Sequence, residues 1–211
     1  MRNTVRNSKG FSLVELIIVI AIMAILSAAI APALIRYLNK ARKADDIAFA
    51  DSLGSSFMAA LNDSESLYDF VTYRVQHEKN GKYVIIGFTG YGNGKEFFTM
   101  PHRGADAQMY LEASEESKQI LSEVIGKKTK DIPLKFYRKN DLDQWVVAVD
   151  RQYNIHIFVC GHLTNGSSWY IKDNNMAPGQ NGDYYCYHLW PDVDPKYNKL
   201  NTPNEDRKSV V

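Results

Sequence analysis

Cysteine is scarce in this chain: Cys160 and Cys186 are the only two in 211 residues. A disulfide-built scaffold needs far more, so stability has to come from an apolar core. One pair permits one disulfide, but it does not by itself establish an oxidising compartment. Charge of one sign is also lacking. Lys and Arg number 25 against 24 Asp and Glu, a formal net charge of +1. Three of the positive charges, Arg2, Arg6 and Lys9, sit in the first ten residues, which hold no acid. Without that segment 22 basic residues face 24 acidic ones, a net of −2. Such a balance carries no electrostatic footprint for a nucleic-acid partner. Catalytic motifs are missing too. There is no Gly-x-Ser-x-Gly elbow, and the serines near histidines are scattered. Gly90, Gly92 and Gly94 lack the Lys-Ser/Thr ending and the following helix of a phosphate loop, so they read as a turn. The sequence therefore assigns no catalytic residue, no cofactor and no metal, and the chain reads as no enzyme.

What is present begins with one long apolar run. The 25 residues from Phe11 to Ile35 carry only Ser12, Glu15 and Ser27 as polar side chains. As a helix this run would be roughly 37 Å long, enough to cross a bilayer core with some tilt. A plain anchor would fit, and so would a secretory signal with a small-residue cleavage site at Ser27-Ala28-Ala29 or Ala29-Ile30-Ala31. Yet the run continues to Leu38, too long for such a signal, and neither reading accounts for Glu15. A charge in a membrane helix costs about 2.5–3.5 kcal/mol at the centre and usually marks function. Four residues into the run, Glu15 can reach the interface, but it needs a positive partner once the helix packs among others.

The residues Lys9-Gly10-Phe11-Ser12-Leu13-Val14-Glu15-Leu16 closely resemble the processing signal of type IV pilins and pseudopilins: a basic leader ending in Gly, then Phe, Ser or Thr, Leu, a hydrophobic residue, Glu and a long apolar helix. The resemblance covers residues 1 to about 40. It implies that a membrane prepilin peptidase cuts between Gly10 and Phe11 and methylates the Phe11 amine. It also implies that Glu15 pairs with the N-terminal amine of a neighbouring subunit in a filament. Two opposite charges are costly when buried alone and tolerable when matched. Pro32 matches a proline common in the family's helix, where it should kink or loosen the chain. Assembly would involve other pilin subunits, a membrane platform and an ATPase. A pseudopilin of a type II secretion or DNA-uptake machine shares every one of these features, and a membrane-tethered binding domain is the other alternative. Arg36, Lys40, Arg42 and Lys43 follow the run and nearly balance the leader's charges, so the positive-inside rule leaves orientation open. A single-pass anchor with an extracytoplasmic head, and then a surface filament, is what the resemblance implies.

Past Leu38 the pattern turns amphipathic. Ile47, Ala50, Gly54, Phe57, Met58 and Leu61 recur at helical spacing, with Asp45, Asp46, Asp51 and Ser55 among the polar positions. One continuous helix is expected from about Ser12 to Leu61, with Gly54 as a weak point. Strands are expected at Lys82–Thr89, Leu134–Arg138, Trp145–Asp150, Asn154–Cys160, Trp169–Lys172 and Tyr184–Trp190, with Arg151-Gln152-Tyr153 closing a hairpin. A second helix is expected from Ala105 to Ile125, with Met109, Leu111, Ile120, Leu121, Val124 and Ile125 inward and Gly126 as its C-cap. The predicted fold class is α+β: a long N-terminal helix packed by its second half on an antiparallel head, an order that also resembles a pilin. The division expected is a leader at 1–10, a membrane and filament-core helix at 11–38, its amphipathic half at 39–63, a head at 64–190 and a loop-rich, partly disordered tail at 191–211. Cys160-Gly161-His162 and Cys186-Tyr187-His188 leave three alternatives: a Cys160–Cys186 disulfide, unpaired thiols, or a Cys₂His₂ zinc site. A disulfide would clip the C-terminal part of the head, as in some members of the family that the N-terminal motif resembles. Asp141, Asp143, Asp192 and Asp194 are weaker candidates for calcium, outside any EF-hand pattern.

Overall fold

Residues 12–89, 97–99, 115, 119, 134–136, 142, 144–161, 170–179 and 182–200 are described by a computed structural model of the chain. They fall into two compact units, one ending at Lys40 and one beginning at Ala41. Helix α1, Leu13–Asp63, runs through that division. It matches the long helix expected from the continuous apolar and amphipathic pattern. Ser64 ends it and starts the next: its hydroxyl accepts from the Leu67 N–H at 3.1 Å, an N-cap for α2, Glu65–His77. This second helix is absent from the sequence expectations, although Leu67, Phe70, Val71 and Val75 follow helical spacing and are all buried.

In the unit from Ala41 onward, the face of α1 that turns inward carries Lys43, Asp46, Ala50, Leu53, Gly54, Phe57 and Leu61. Asp46, expected among the polar positions, is in fact 1% exposed. Ala50, Leu53 and Phe57 meet α2 and one face of the sheet, where Val84, Ile86, Trp145, Val147, Val149, Ile157 and Leu189 complete the main core.

The strands are β1 (Tyr83–Thr89), β2 (Phe97–Thr99), β3 (Gln144–Val149), β4 (Ile155–Cys160), β5 (Tyr170–Ile171), β6 (Met176–Gly179) and β7 (Gly182–Trp190). They pair antiparallel in the order β2-β1-β3-β4-β7-β6, and β5 joins the first two residues of β1. The sheet is thus antiparallel, as the alternating aromatic and β-branched runs imply. β3 and β4 form the expected hairpin, Val149 opposite Ile155. Tyr153 takes a positive φ of 66° in its turn. Asp150 fixes that turn by accepting from the Gln152 and Asn154 N–H groups at 2.8 and 2.9 Å. Both central strands are buried along their whole length, because a second, smaller cluster covers the other face: Tyr83, Ile85, Val146, Ala148, Phe158 and Ile171 among others.

Several expectations are corrected. Strands β2 and β6 were not expected. Leu134–Phe136 is a turn rather than a strand: the Asp46 carboxylate accepts the Lys135 and Phe136 N–H groups at 2.7 and 2.8 Å, which draws the segment onto α1 instead of into the sheet. The segment after Trp190 is not simply loop. Pro195–Lys199 forms a short helix, α3, capped by Asp194, and Tyr197 is fully buried with its hydroxyl donating to Asp46 at 3.1 Å. Lys43 donates to the carbonyls of Asn198 (3.0 Å) and Leu200 at the end of α3, where a cation suits the helix dipole. Arg151 ties the hairpin turn to α2, donating to the carbonyls of Val75, Glu78, Asn80 and Gly81. The turn at Gly90, Gly92 and Gly94, Gly126, and the helix expected at 105–125 lie outside the described residues, apart from Glu115 and Gln119, which are helical.

Candidate functional site

The apolar N-terminal stretch of α1 is the feature that a globular head does not explain. From Leu13 to Leu38 its large apolar side chains are exposed among the described residues, Leu13 by 73% and Ile25 by 70%, a contiguous apolar surface of the kind that marks an interaction site. It is the one segment among the described residues long and apolar enough to cross a membrane. Pro32, expected to kink or loosen the chain, lies inside the continuous helix. Proline costs it the N–H that would bond one turn back.

Glu15 stands in the first turn of α1. Its Oε2 accepts the Ser12 N–H at 2.9 Å, while the Ser12 carbonyl accepts from Leu16 at 3.2 Å. This is the carboxylate half of a capping box, which satisfies one of the N–H groups that a helix start leaves bare and places negative charge at the positive helix end. The Ser-x-x-Glu spacing that signals it, Ser12 to Glu15, is plain in the sequence, but Ser12 was not assigned this part. Glu15 Oε1 has no hydrogen bond among the described residues. Gly10 and Phe11 lie outside the described residues.

The family described as "Prokaryotic N-terminal methylation motif" matches residues 5–31, which span the basic segment, the Gly10–Phe11 junction, Glu15 and most of the apolar run. This match supports the resemblance of the N-terminal segment to type IV pilins. The chain is 34% identical over 84 residues to the type IV major fimbrial protein FimA of Dichelobacter nodosus. That similarity covers 39% of the chain, and the chain spans about half the length, 52%, of that relative. No solved structure matches.

The remaining candidate sites lie in the head. Cys160 and Cys186 face each other across β4 and β7, and their sulfurs are bonded at 2.10 Å. Thiolates are therefore not available to the zinc arrangement, and His162 lies outside the described residues. His188 instead meets His156, a residue that sequence reasoning did not single out: His156 Nδ1 stands 2.9 Å from His188 Nε2. No short-range signal links them, since they are 32 positions apart and converge only through strand register. Of the acidic calcium candidates, Asp194 is occupied as the α3 N-cap and accepts from the Lys196 N–H at 2.8 Å. Asp141 and Asp143 lie outside the described residues. Deep burial pushes the Asp46 carboxyl up to about 6, although three hydrogen bonds pull the other way. Burial, then the neighbouring Asp46 charge, raises the Tyr197 phenol far above its ordinary value.

Proposed function

We propose that this chain is a type IV pilin, a structural subunit of a pilus-like filament, inserted in the membrane as a prepilin and polymerised through α1. Prepilin peptidase cuts between Gly10 and Phe11, and the new Phe11 amine is N-methylated. The carrying observation is the pairing of a processing signal with an apolar helix whose large side chains stand exposed among the described residues. Cleavage ahead of that helix, rather than behind it, retains the apolar surface for subunit contact. Other copies of the helix then provide the burial that lipid gave before assembly.

In this reading Glu15 has two partners. Its Oε2 caps its own helix, and its Oε1 accepts the methylated Phe11 amine of an adjacent subunit. Matching the two charges offsets the cost of taking each out of water. The membrane platform and ATPase supply the work of extraction, the head lies outside the cytoplasmic membrane, and the product is a surface filament. The match to a major fimbrial protein favours a pilus over a secretion or DNA-uptake pseudopilin.

Two experiments test the reading. Incubation with prepilin peptidase and N-terminal sequencing should return Phe11 as the first residue, whereas an uncut chain, or one cut near Ala31, refutes it. Glu15→Ala should insert and be cleaved normally but fail to enter filaments. Filaments of normal abundance from that variant would show that charge pairing does not drive assembly.

A further inference from the structure

On the sheet face opposite α1, the hairpin turn and the end of β7 bring two imidazoles edge to edge. His156 and Phe158 lie two apart on β4 and share a face. The β4–β7 register slips between Ile157 and Phe158, so that Trp190 pairs with Ile157 while His188 pairs with Phe158. That irregularity sends Leu189 into the main core and leaves His188 beside His156. The ring centroids are 5.0 Å apart and the facing nitrogens, His156 Nδ1 and His188 Nε2, are 2.9 Å apart. The second nitrogen of His156, Nε2, lies 3.2 Å from Asp150 Oδ2.

Proton accounting puts a single exchangeable proton between the two rings. A neutral imidazole carries one N–H. The Asp150 carboxylate beside Nε2 accepts the His156 proton there, so His156 Nδ1 turns a lone pair towards His188. His188 Nε2 faces that lone pair at 2.9 Å, and a divalent ion bound by both nitrogens would take the place of the proton between them.

We propose that His156 Nδ1 and His188 Nε2 are the two imidazole ligands of a binding site for a divalent transition-metal ion of the zinc, nickel or copper kind. Imidazole nitrogen suits these ions. In a tetrahedral site with bonds of about 2.0–2.1 Å, two such ligands stand roughly 3.3 Å apart, so the pair needs to open by only a few tenths of an ångström. Asp150 supplies the outer carboxylate that fixes the ligating tautomer of His156, the arrangement usual around metal-bound histidine. Among the described residues no three ligand side chains already converge, so water or the exposed Asp192 completes the sphere. Asp192 acts electrostatically on both rings and Asp194 on His188, while Lys82, the residue before β1, opposes them at His156. The bound ion would clasp β4 to β7 near one end of their pairing, with the Cys160–Cys186 bond at the other end.

The test uses the full chain in detergent, without a polyhistidine tag, stripped with chelator and titrated with zinc chloride at pH 7.5 by calorimetry. One ion per chain is expected, together with a rise in melting temperature on zinc addition, since a ligand that binds only the folded state stabilises it. His188→Ala and His156→Ala should each weaken binding by at least tenfold, and Asp150→Asn by about tenfold, the lower end of the outer-carboxylate effect. His77→Ala, on α2, should bind like the parent. Circular dichroism establishes that each variant is folded, and His188→Gln provides a second test if the alanine variant is not. No binding by the parent chain, or equal binding by folded His188 variants, would overturn the proposal. So would an N–H···N proton found between the two rings by NMR in the presence of zinc.

Discussion

Removing the Asp46 carboxylate should expose how the head holds its last segment. Asp46 is buried on α1 and is the shared acceptor for Lys135 N–H, Phe136 N–H and Tyr197 Oη–H. Asp46→Ala would leave three donors without their acceptor, the buried Phe136 N–H and Tyr197 Oη–H and the part-buried Lys135 N–H, at a cost of about 1–3 kcal/mol for each buried one and less for the third. Against that loss stands relief of a buried charge. The carboxyl is raised from 3.8 to about 6, a shift of about 2 units that corresponds to about 3 kcal/mol of strain in the ionised form at pH 7. A net loss of about 3 kcal/mol at neutral pH is therefore expected. The sign of the pH dependence follows from the direction of the shift. A raised carboxyl binds more protons in the folded state than in the unfolded state between pH 4 and 6. Its contribution is therefore greatest below the unfolded value and disappears as pH rises through about 6. Parent and variant should differ by about 2 kcal/mol more at pH 4.5 than at pH 7.5. Urea unfolding of the full chain in detergent at both pH values, followed by tryptophan fluorescence, measures this, and the difference between the two chains cancels every other titrating group. An identical cost at both pH values would refute the burial argument. So would full additivity of Asp46→Ala with Tyr197→Phe, since partners in one buried network should couple.

Three further outcomes are expected. Gly54→Ala should destabilise the head by about 1–3 kcal/mol, because a Cβ there meets the Trp190 indole closer than real contacts allow; loss of the Trp190 Nε1–Asp51 bond of 3.0 Å would appear as an altered indole signal in NMR. Arg151→Ala should cost about 2–3 kcal/mol, since its guanidinium serves carbonyls at the end of α2 and in the loop before β1, and hydrogen exchange of the α2 C-terminus should accelerate. Replacing Cys160 and Cys186 together by Ser should lower stability by about 3–4 kcal/mol on chain-entropy grounds for a separation of 26 residues, and reduction of the parent chain should reproduce that loss in thermal unfolding.

Local patterns were legible where one interaction dominates. The apolar run from Phe11 to Leu38 specifies a helix because nothing in it competes, and the β3–β4 hairpin is written in two apolar runs flanking Asp150–Asn154. Helix α2 carried its signal in Ser64 and in Leu67, Phe70, Val71 and Val75. Its four apolar positions are interleaved with Tyr68, Tyr73 and the buried Arg74, which blur the stripe. The resemblance to pilins, too, rests on a local motif that is complete within residues 5–31.

Contacts between distant segments were another matter. Asp46 looks like a solvent-facing residue of an amphipathic helix, and only the arrival of residues 134–136 and 197 makes it a buried acceptor. Gly54 reads as a flaw in a helix until the Trp190 ring is seen to occupy the space a side chain would need. The meeting of His156 and His188 depends on a single slip in strand register. Sequence determined the helix, the antiparallel pairing and the N-terminal signal, since each is encoded in spacing along the chain. Tertiary structure alone decided which polar groups are buried and which side chains meet, because desolvation and hydrogen bonding depend on neighbours that sequence distance does not reveal.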